Sequence, residues 1–579
     1  MILRASGKME EHMKKFLVVS VLVALLLPMT LVAQGPKDEV ATSSKVVYTP
    51  NGTFPIVKSP ITVNIMVAQP PCVEDYNTNR FSKYMEEKTG IKVNFIMIPE
   101  QAATEKLALV LASGDYPDAF LGFDINNELE TTYGAQEGLF LPMNKYYTKE
   151  WMPNLMKSFE EFPGGVGYMT NIDGNIYSLP RLEGCYHCSN QAKLFFYRPF
   201  LKTLGLKVPT TTDEFYNTLK AIKEKDPNGN GKADEIPLAG SIIGWSDQVE
   251  RFLLNSFIYC DLDTNINANA NDNVGYIMNG KKVDTAMNKD AYREGLKFIN
   301  KLYKEGLIYN GSFTQDSSQL TQLVESSAQP SVGFVAGGWR GQFSTIGGER
   351  FNNFAALAPL KGPKGVQETV AFFQNPEIGN LVLSSETKYA DAIMRYFDFM
   401  FSAEGTLLQR NGFQGEAWDW AKPGQIGLDG KPAVWQQLTL WNDKDPQNNT
   451  WIQTYASAMT PSLKNGLAKE PSSPADPNYY LPANNEKVLF DETFNLYKPY
   501  EHIKFEVPVL KYTAEENEKF STVKRELANF IRQSSVKFMV GSMDVNDDKV
   551  WNDYVKNLDK LQMPAVLGLM QTAYTRQYK

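Results

Sequence analysis

The sequence predicts an α/β chain folded into two or more lobes, and three observations carry that prediction. Between residues 61 and 122, strand-like and helix-like patterns alternate, as in a parallel sheet covered by helices. A second α/β stretch opens near residue 190. The length, 579 residues, exceeds what one hydrophobic core ordinarily supports.

The N-terminal residues read as an address. "MKKFLVVSVLVALLLPMTLVAQG" places Lys14 and Lys15 before an apolar run from Phe16 to Leu27, with small residues around Ala33 and Gly35. That is an export signal over residues 1–35, with Met13 a second candidate start. The competing reading, a membrane anchor, suffers from Pro28 and from a run too short to span a bilayer comfortably. No cysteine follows until Cys72, so no lipid-accepting cysteine stands at the processing site. The expectation is a soluble exported protein, periplasmic or extracellular. Residues 36–59 are polar and Pro-punctuated, and read as a flexible lead-in.

The elements then follow in order. "ITVNIMVA" reads as a strand, "TNRFSKYMEEKTG" as a helix closed by Gly90, and "IKVNFIMIP" as a second strand. "ATEKLALVLASGD" is a helix ending at Gly114, and "YPDAFLG" a short strand. Ligands bind such sheets beyond the carboxyl ends of the strands, which points to the loops "QPPCVEDYNTN" and "GFDINNE". Further on, Thr211 and Glu214 fit a capping box, and Phe215, Leu219 and Ile222 recur at helical spacing.

That helix runs into "DPNGNGKADEIP", whose oxygen-bearing side chains alternate around two glycines. Calcium takes six to eight hard oxygens, and the EF-hand loop supplies them from alternate positions. Asp226, Asn228 and Asn230 occupy the first, third and fifth positions, Gly231 the sharp turn, and Asp234 the ninth. Lys232 offers its backbone carbonyl. The twelfth position is Pro237 where glutamate belongs, and Glu235 is the substitute ligand. The site lacks an evident open position or neighbouring base, so calcium is expected to be structural. A solvated Asx turn is the competing reading.

Composition narrows the partners. A net charge of −8 without a basic run argues against nucleic acid, and three histidines argue against a histidine-rich metal centre. Cys185 and Cys188 form a CxxC around His187; in an oxidising compartment a disulfide is the commoner outcome, a metal site the alternative. Cys72 and Cys260 leave the pairing open.

"DGNIYSLPR", "LKTLGLKVPTTTDEFYNTLKAIKEKDPNGNGKADEIPL" and "YREGLKFINKLYKEGLI" resemble the extracellular solute-binding proteins, family 1, of ABC importers. The long oligosaccharide and alginate binders are the nearest look-alikes. "LASGDYPDAFL", "GFQGEAWDW" and "WNDYVKNLDKL" extend the resemblance over nearly all of the chain after the export signal. The resemblance implies a two-lobed periplasmic-binding-protein fold, type II-like, with discontinuous lobes and a hinge, a monomer that delivers its ligand to a membrane permease. It implies calcium in the loop at Asp226, Asn228, Asn230, Lys232, Asp234 and Glu235. The lobes are expected at residues 60–185 plus 329–375, and at 190–328 plus parts of 376–579, with the C-terminal helices packing on both.

Sugars offer apolar C–H faces edged by hydroxyls, so a binding cleft pairs flat aromatics with carboxylates, amides and Arg. "IIGWSDQ" offers Trp245 and Asp247, "AGGWRGQ" offers Trp339 and Arg340, and "GEAWDW" offers Glu416, Trp418 and Trp420. Asp75 and Asn77 lie in a loop expected at a strand end, where turn formation is the alternative. For each indole the alternative is the core. The ligand is expected to be a sugar or oligosaccharide, with a peptide or other solute as second choice. The alternative class is a secreted carbohydrate-active enzyme using Glu416 and Asp419, but linear spacing shows no carboxyl separation, and no enzyme is expected.

Overall fold

In the order of the chain, the first three strands are Ile61–Gln69 (β1), Ile91–Pro99 (β2) and Ala119–Leu121 (β3), all parallel, with Ile65 opposite both Phe95 and Ala119. They come from a computed structural model that describes residues 46–162, 164–265, 274–440, 445–452, 456–470 and 472–578. The expected export signal lies outside the described residues. Helix α1 (Arg80–Thr89) starts where the Asn79 side chain accepts the Phe81 N–H at 3.0 Å and stops at left-handed Gly90. Its Phe81 and Met85 are buried, at helical spacing. Helix α2 (Ala103–Ser113) stops at left-handed Gly114 and buries Leu107, Val110 and Leu111. These five elements follow the expected order.

Ser178–Glu183 (β4) joins the same sheet, and the chain then passes through residues 184–192 into a second one. That second sheet contains Lys193–Tyr197 (β5) and Ile236–Ala239 (β6), linked by helix α3 (Thr212–Glu224). Thr211 caps α3 by accepting the Glu214 N–H at 3.2 Å, but the Glu214 carboxylate turns to Thr210 rather than closing the box. A hairpin, Tyr276–Asn279 (β7) with Lys282–Thr285 (β8), and helices α4 (Asp290–Lys304) and α5 (Ser317–Glu325) follow. Val332–Gly337 (β9) and Phe354–Leu357 (β10) complete the second sheet, in the order β10-β5-β9-β6.

Residues 358–376 cross back. Glu377–Leu383 (β11) then runs antiparallel to β3 and β4. Helix α6 (Ala390–Met400) and a small hairpin, Trp418–Trp420 (β12) with Trp435–Gln437 (β13), precede Ala458–Met459 (β14), parallel to β4. The first sheet is ordered β14-β4-β11-β3-β1-β2. Helices α7 (Ala514–Val540), α8 (Asp548–Lys560) and α9 (Met563–Gln577) add Leu527, Ile531, Phe538, Trp551, Tyr554 and Met570 to the core under the second sheet. Lys511 reaches the other way and donates to Tyr168 O and Thr170 O near the first sheet.

Two expectations differ from this layout. The sequence expectation places residues 329–375 in the first lobe, yet β9 and β10 pair with β5 and β6. The run Val332–Gly337 is buried throughout, as suits an inner strand, and the first sheet resumes only at Glu377. The described part of the lead-in is also held: Tyr48 bridges Val57, Ile56 and Val57 are buried, and Arg395 donates to Thr49 O and Pro50 O at 2.9 Å each. Among the described residues no helix is long and apolar enough to cross a membrane.

Candidate functional site

The oxygen-rich loop leaves the end of α3 with Asp226 in the left-handed region, φ 45°. The Asp226 carboxylate accepts the N–H groups of Asn230 at 3.1 Å and Gly231 at 2.8 Å. Asn228 and Asn230 turn their side chains onto the Asp234 carboxylate at 3.1–3.2 Å. Glu235 Oε1 accepts the Asn228 N–H at 3.4 Å, while Oε2 is buried without a hydrogen-bond partner. Burial, with the charges of Asp226 and Asp234, pushes the Glu235 pKa up. A Glu235 carboxylate with an orphaned buried oxygen, beside the charges of Asp226 and Asp234, is costly unless a cation joins them. The donor set fits calcium.

A different assembly forms beyond the carboxyl end of β6. The indole of Trp245 lies on Gly338, where a Cβ would come within 2.2 Å of its ring. The Trp339 indole folds over Gly341 in the same manner, also at 2.2 Å. The glycines of "GGWRG" are therefore platforms for rings, since any side chain there would displace the indoles. Trp245 remains 40% exposed and Trp339 is half-buried. Gln342 ties the two segments: its Oε1 accepts Gly338 N–H at 2.8 Å, and its amide donates to Trp245 O and to Asp247 Oδ1.

Asp247 itself is fully buried. Its Oδ2 accepts the hydroxyls of Ser241 at 3.0 Å and Ser317 at 2.5 Å. Burial raises its pKa to about 7, against the opposing effect of those hydroxyls. It holds the Trp245 loop in place and is closed off from a ligand. Sequence reasoning missed Gln342, Ser317 and Ser241. The glycines on both sides of Trp339 were the available signal for close ring packing.

The remaining expected residues divide by burial. Arg340 is fully buried and donates to Phe351 O at 3.2 Å, Tyr480 O at 3.1 Å and Asn485 Oδ1 at 3.1 Å; it clamps the fold instead of reaching solvent. Trp418 is fully buried, its Nε1 donating to Gly412 O at 2.7 Å. Trp420, next on the same strand face, meets it edge-on at 5.0 Å yet stays 40% exposed. Glu416 is exposed and takes both guanidinium nitrogens of Arg80, at 2.7 and 2.8 Å. The Arg80 hydrogen bonds pull the Glu416 pKa down, and the Gln414 amide does the same for Asp419. Both shifts run opposite to the raised pKa that a glycosidase acid needs. Asp75 accepts the Asn77 N–H at 2.7 Å, and Asn77 pairs with Phe95 N and O at 2.8 and 3.0 Å, so both are occupied in shaping the loop beside β2.

Cys185 and Cys188 are joined as a disulfide in the segment between β4 and β5. Cys72 and Cys260 are both buried. The His187 ring meets Trp245 at 6.3 Å. The exposed indole therefore stands where the second sheet's loops meet the crossing between the sheets.

Residues 73–407 match the model of the bacterial extracellular solute-binding protein family. The fructooligosaccharide ABC transporter substrate-binding protein FusA of Streptococcus pneumoniae is 27% identical over 560 residues, covering 95% of this chain and 97% of that protein. A structure of a FusA EF-hand mutant in complex with fructo-nystose superposes with a TM-score of 0.68 at 24% identity, covering 89% of this chain and 99% of the other. An HMO-binding, ABC-transporter-associated solute-binding protein from Bifidobacterium longum infantis gives 0.69 at 21% identity, with 89% and 99% covered. Two lobes built on two sheets, chain crossings between them and this match over most of the sequence lead to one conclusion: the chain belongs to the bacterial extracellular solute-binding protein family.

Proposed function

We propose that this protein captures an oligosaccharide between its two lobes and presents it to the permease of an ABC importer. The observation that carries the reading is Trp245, an exposed indole seated on Gly338 beside the crossing between the lobes. A flat apolar ring at a lobe junction suits the C–H face of a sugar, and the polar residues around it are tied into fixed positions. The oligosaccharide-binding relatives support the same ligand class. Trp339 is a second stacking candidate; Trp420 and Glu416 form a further exposed pair on the β12–β13 segment and its approach.

In this reading the protein is exported, works as a monomer, catalyses no reaction, and closes by a hinge motion that the permease senses. Calcium held by Asp226, Asn228, Asn230, Lys232 through its carbonyl, Asp234 and Glu235 fastens the α3–β6 connection.

The test is calorimetric titration with fructo-oligosaccharides, oligosaccharides of the HMO class, uronic-acid oligomers and peptides, followed by long incubation and chromatography. Binding of one class with the sugar recovered intact supports the proposal. Binding of peptides alone, or release of shorter sugars, would overturn it.

A further inference from the structure

The turn Cys185–Cys188 offers no stacking surface of its own, yet through His187 it touches Trp245. It lies in the 184–192 crossing, and the second crossing grips it. Gln374 donates its amide to Cys185 O at 3.1 Å, and the Phe372 N–H reaches Ser189 O at 2.9 Å. Within the turn the Cys188 N–H donates to Cys185 O at 3.2 Å. The backbone of His187 is pinned from the far side, because the buried Lys193 ammonium donates to His187 O at 2.8 Å.

The ring of His187 has little room. It is buried, meets Tyr186 edge-on at 5.6 Å, and meets Trp245 edge-on at 6.3 Å. Tyr186 is itself fastened, its hydroxyl donating to Glu486 at 2.9 Å. Burial and the neighbouring Lys193 charge hold the imidazole pKa well below its usual value, so the ring packs on Trp245 as an uncharged body. Trp245 is thus bounded by two things that cannot yield easily, the Gly338 backbone and a histidine carried on a covalently closed turn.

We infer that the Cys185–Cys188 turn is a positioning element for ligand capture: it holds His187 against Trp245 and so fixes the pose of the indole that the ligand meets. The ligand half of this inference rests on the proposed function; the positioning half stands by itself. A disulfide closing so short a loop constrains the unfolded chain less than one closing a long loop, so its main effect is local. Opening it frees the turn that carries His187 while both sheets keep their cores.

The experiment opens the bridge in the intact protein with a trialkylphosphine. The phosphine and one water give two thiols and the phosphine oxide, confirmed by thiol titration. Trp245 accessibility is read without ligand, as the acrylamide quenching of the protein minus that of its Trp245→Phe variant. Reduction is expected to raise this difference, His187→Ala to raise it with the bridge closed, and either change to weaken the preferred sugar's Kd by about fivefold or more. Unchanged quenching after two thiols beyond Cys72 and Cys260 are counted would overturn the inference. So would a large drop in Tm on reduction, which would make the bridge a staple of the whole fold. If no sugar binds the oxidised protein, the proposed function fails, and the quenching result still decides the positioning role.

Discussion

Ser317, at the start of α5, donates its hydroxyl to the buried carboxylate of Asp247 at 2.5 Å, across 70 residues of chain. With Ser241 and Gln342 on the same carboxylate, this contact fixes the loop that carries Trp245. The cost is electrostatic. Burial raises the Asp247 pKa to about 7, so the folded protein binds this proton better than the unfolded chain does. Stability from this group is therefore greatest at low pH and is lost as pH rises from about 4 through about 7. Asp247→Asn removes the titration. The Tm of the variant minus that of the parent should become more positive between pH 5 and pH 8; a flat difference would mean that Asp247 is ionised throughout.

Calcium should be a stabiliser acting by mass action. At a hundred times Kd a ligand of the native state adds about 2.7 kcal/mol, so chelation by EDTA should lower Tm by several degrees and excess calcium should restore it. Asp226→Ala, which removes the carboxylate gripping the N–H groups of Asn230 and Gly231, should abolish the response. Glu235→Gln should weaken it. A parent melting curve indifferent to EDTA would reduce the loop to an Asx turn.

The elements read correctly from the sequence were those whose signal is local. β1, α1, β2, α2 and β3 each carry their own periodicity, and Gly90 and Gly114 end helices for a reason visible in one residue. The signal of the oxygen-rich loop is local likewise: the residues proposed to hold calcium fall within ten consecutive positions. What escaped was long-range. The burial of Val332–Gly337 is compatible with either sheet, and only the pairing with Lys193–Tyr197, some 140 residues earlier, decides it. Polarity normally means exposure and so points Arg340 toward solvent, whereas this guanidinium finds its oxygen partners in segments far along the chain. Trp418 and Trp420 lie on one face of β12, so alternation could not tell the core ring from the exposed one.

Arg340 yields a prediction opposite to that for a ligand contact. Its guanidinium serves two carbonyls and one amide oxygen, and lies 4.5 Å from the Phe351 ring. Arg340→Met keeps much of the volume but leaves those acceptors buried and unpaired. A loss of about 3 kcal/mol in urea unfolding is expected, with the sugar Kd of the folded fraction changed less than twofold. A stable variant that fails to bind would return Arg340 to the ligand site.

The two half-exposed indoles supply the sharpest comparison. Trp245 and Trp339 lie on glycine platforms at the surface, so truncating either leaves little cavity behind. Trp418 is enclosed, and its truncation removes a packed ring together with a hydrogen bond to Gly412 O. Trp418→Ala should therefore cost about 3–5 kcal/mol of stability, the usual range for emptying a core aromatic site. Trp245→Ala and Trp339→Ala should cost under about 1 kcal/mol of stability. Each should weaken oligosaccharide binding by at least about 1 kcal/mol through the lost stacking surface. Urea unfolding and calorimetric titration on the same three variants separate the two effects. Should Trp245→Ala unfold the protein as readily as Trp418→Ala does, the ring belongs to the core; should it leave Kd unchanged in a stable protein, the ligand stacks elsewhere.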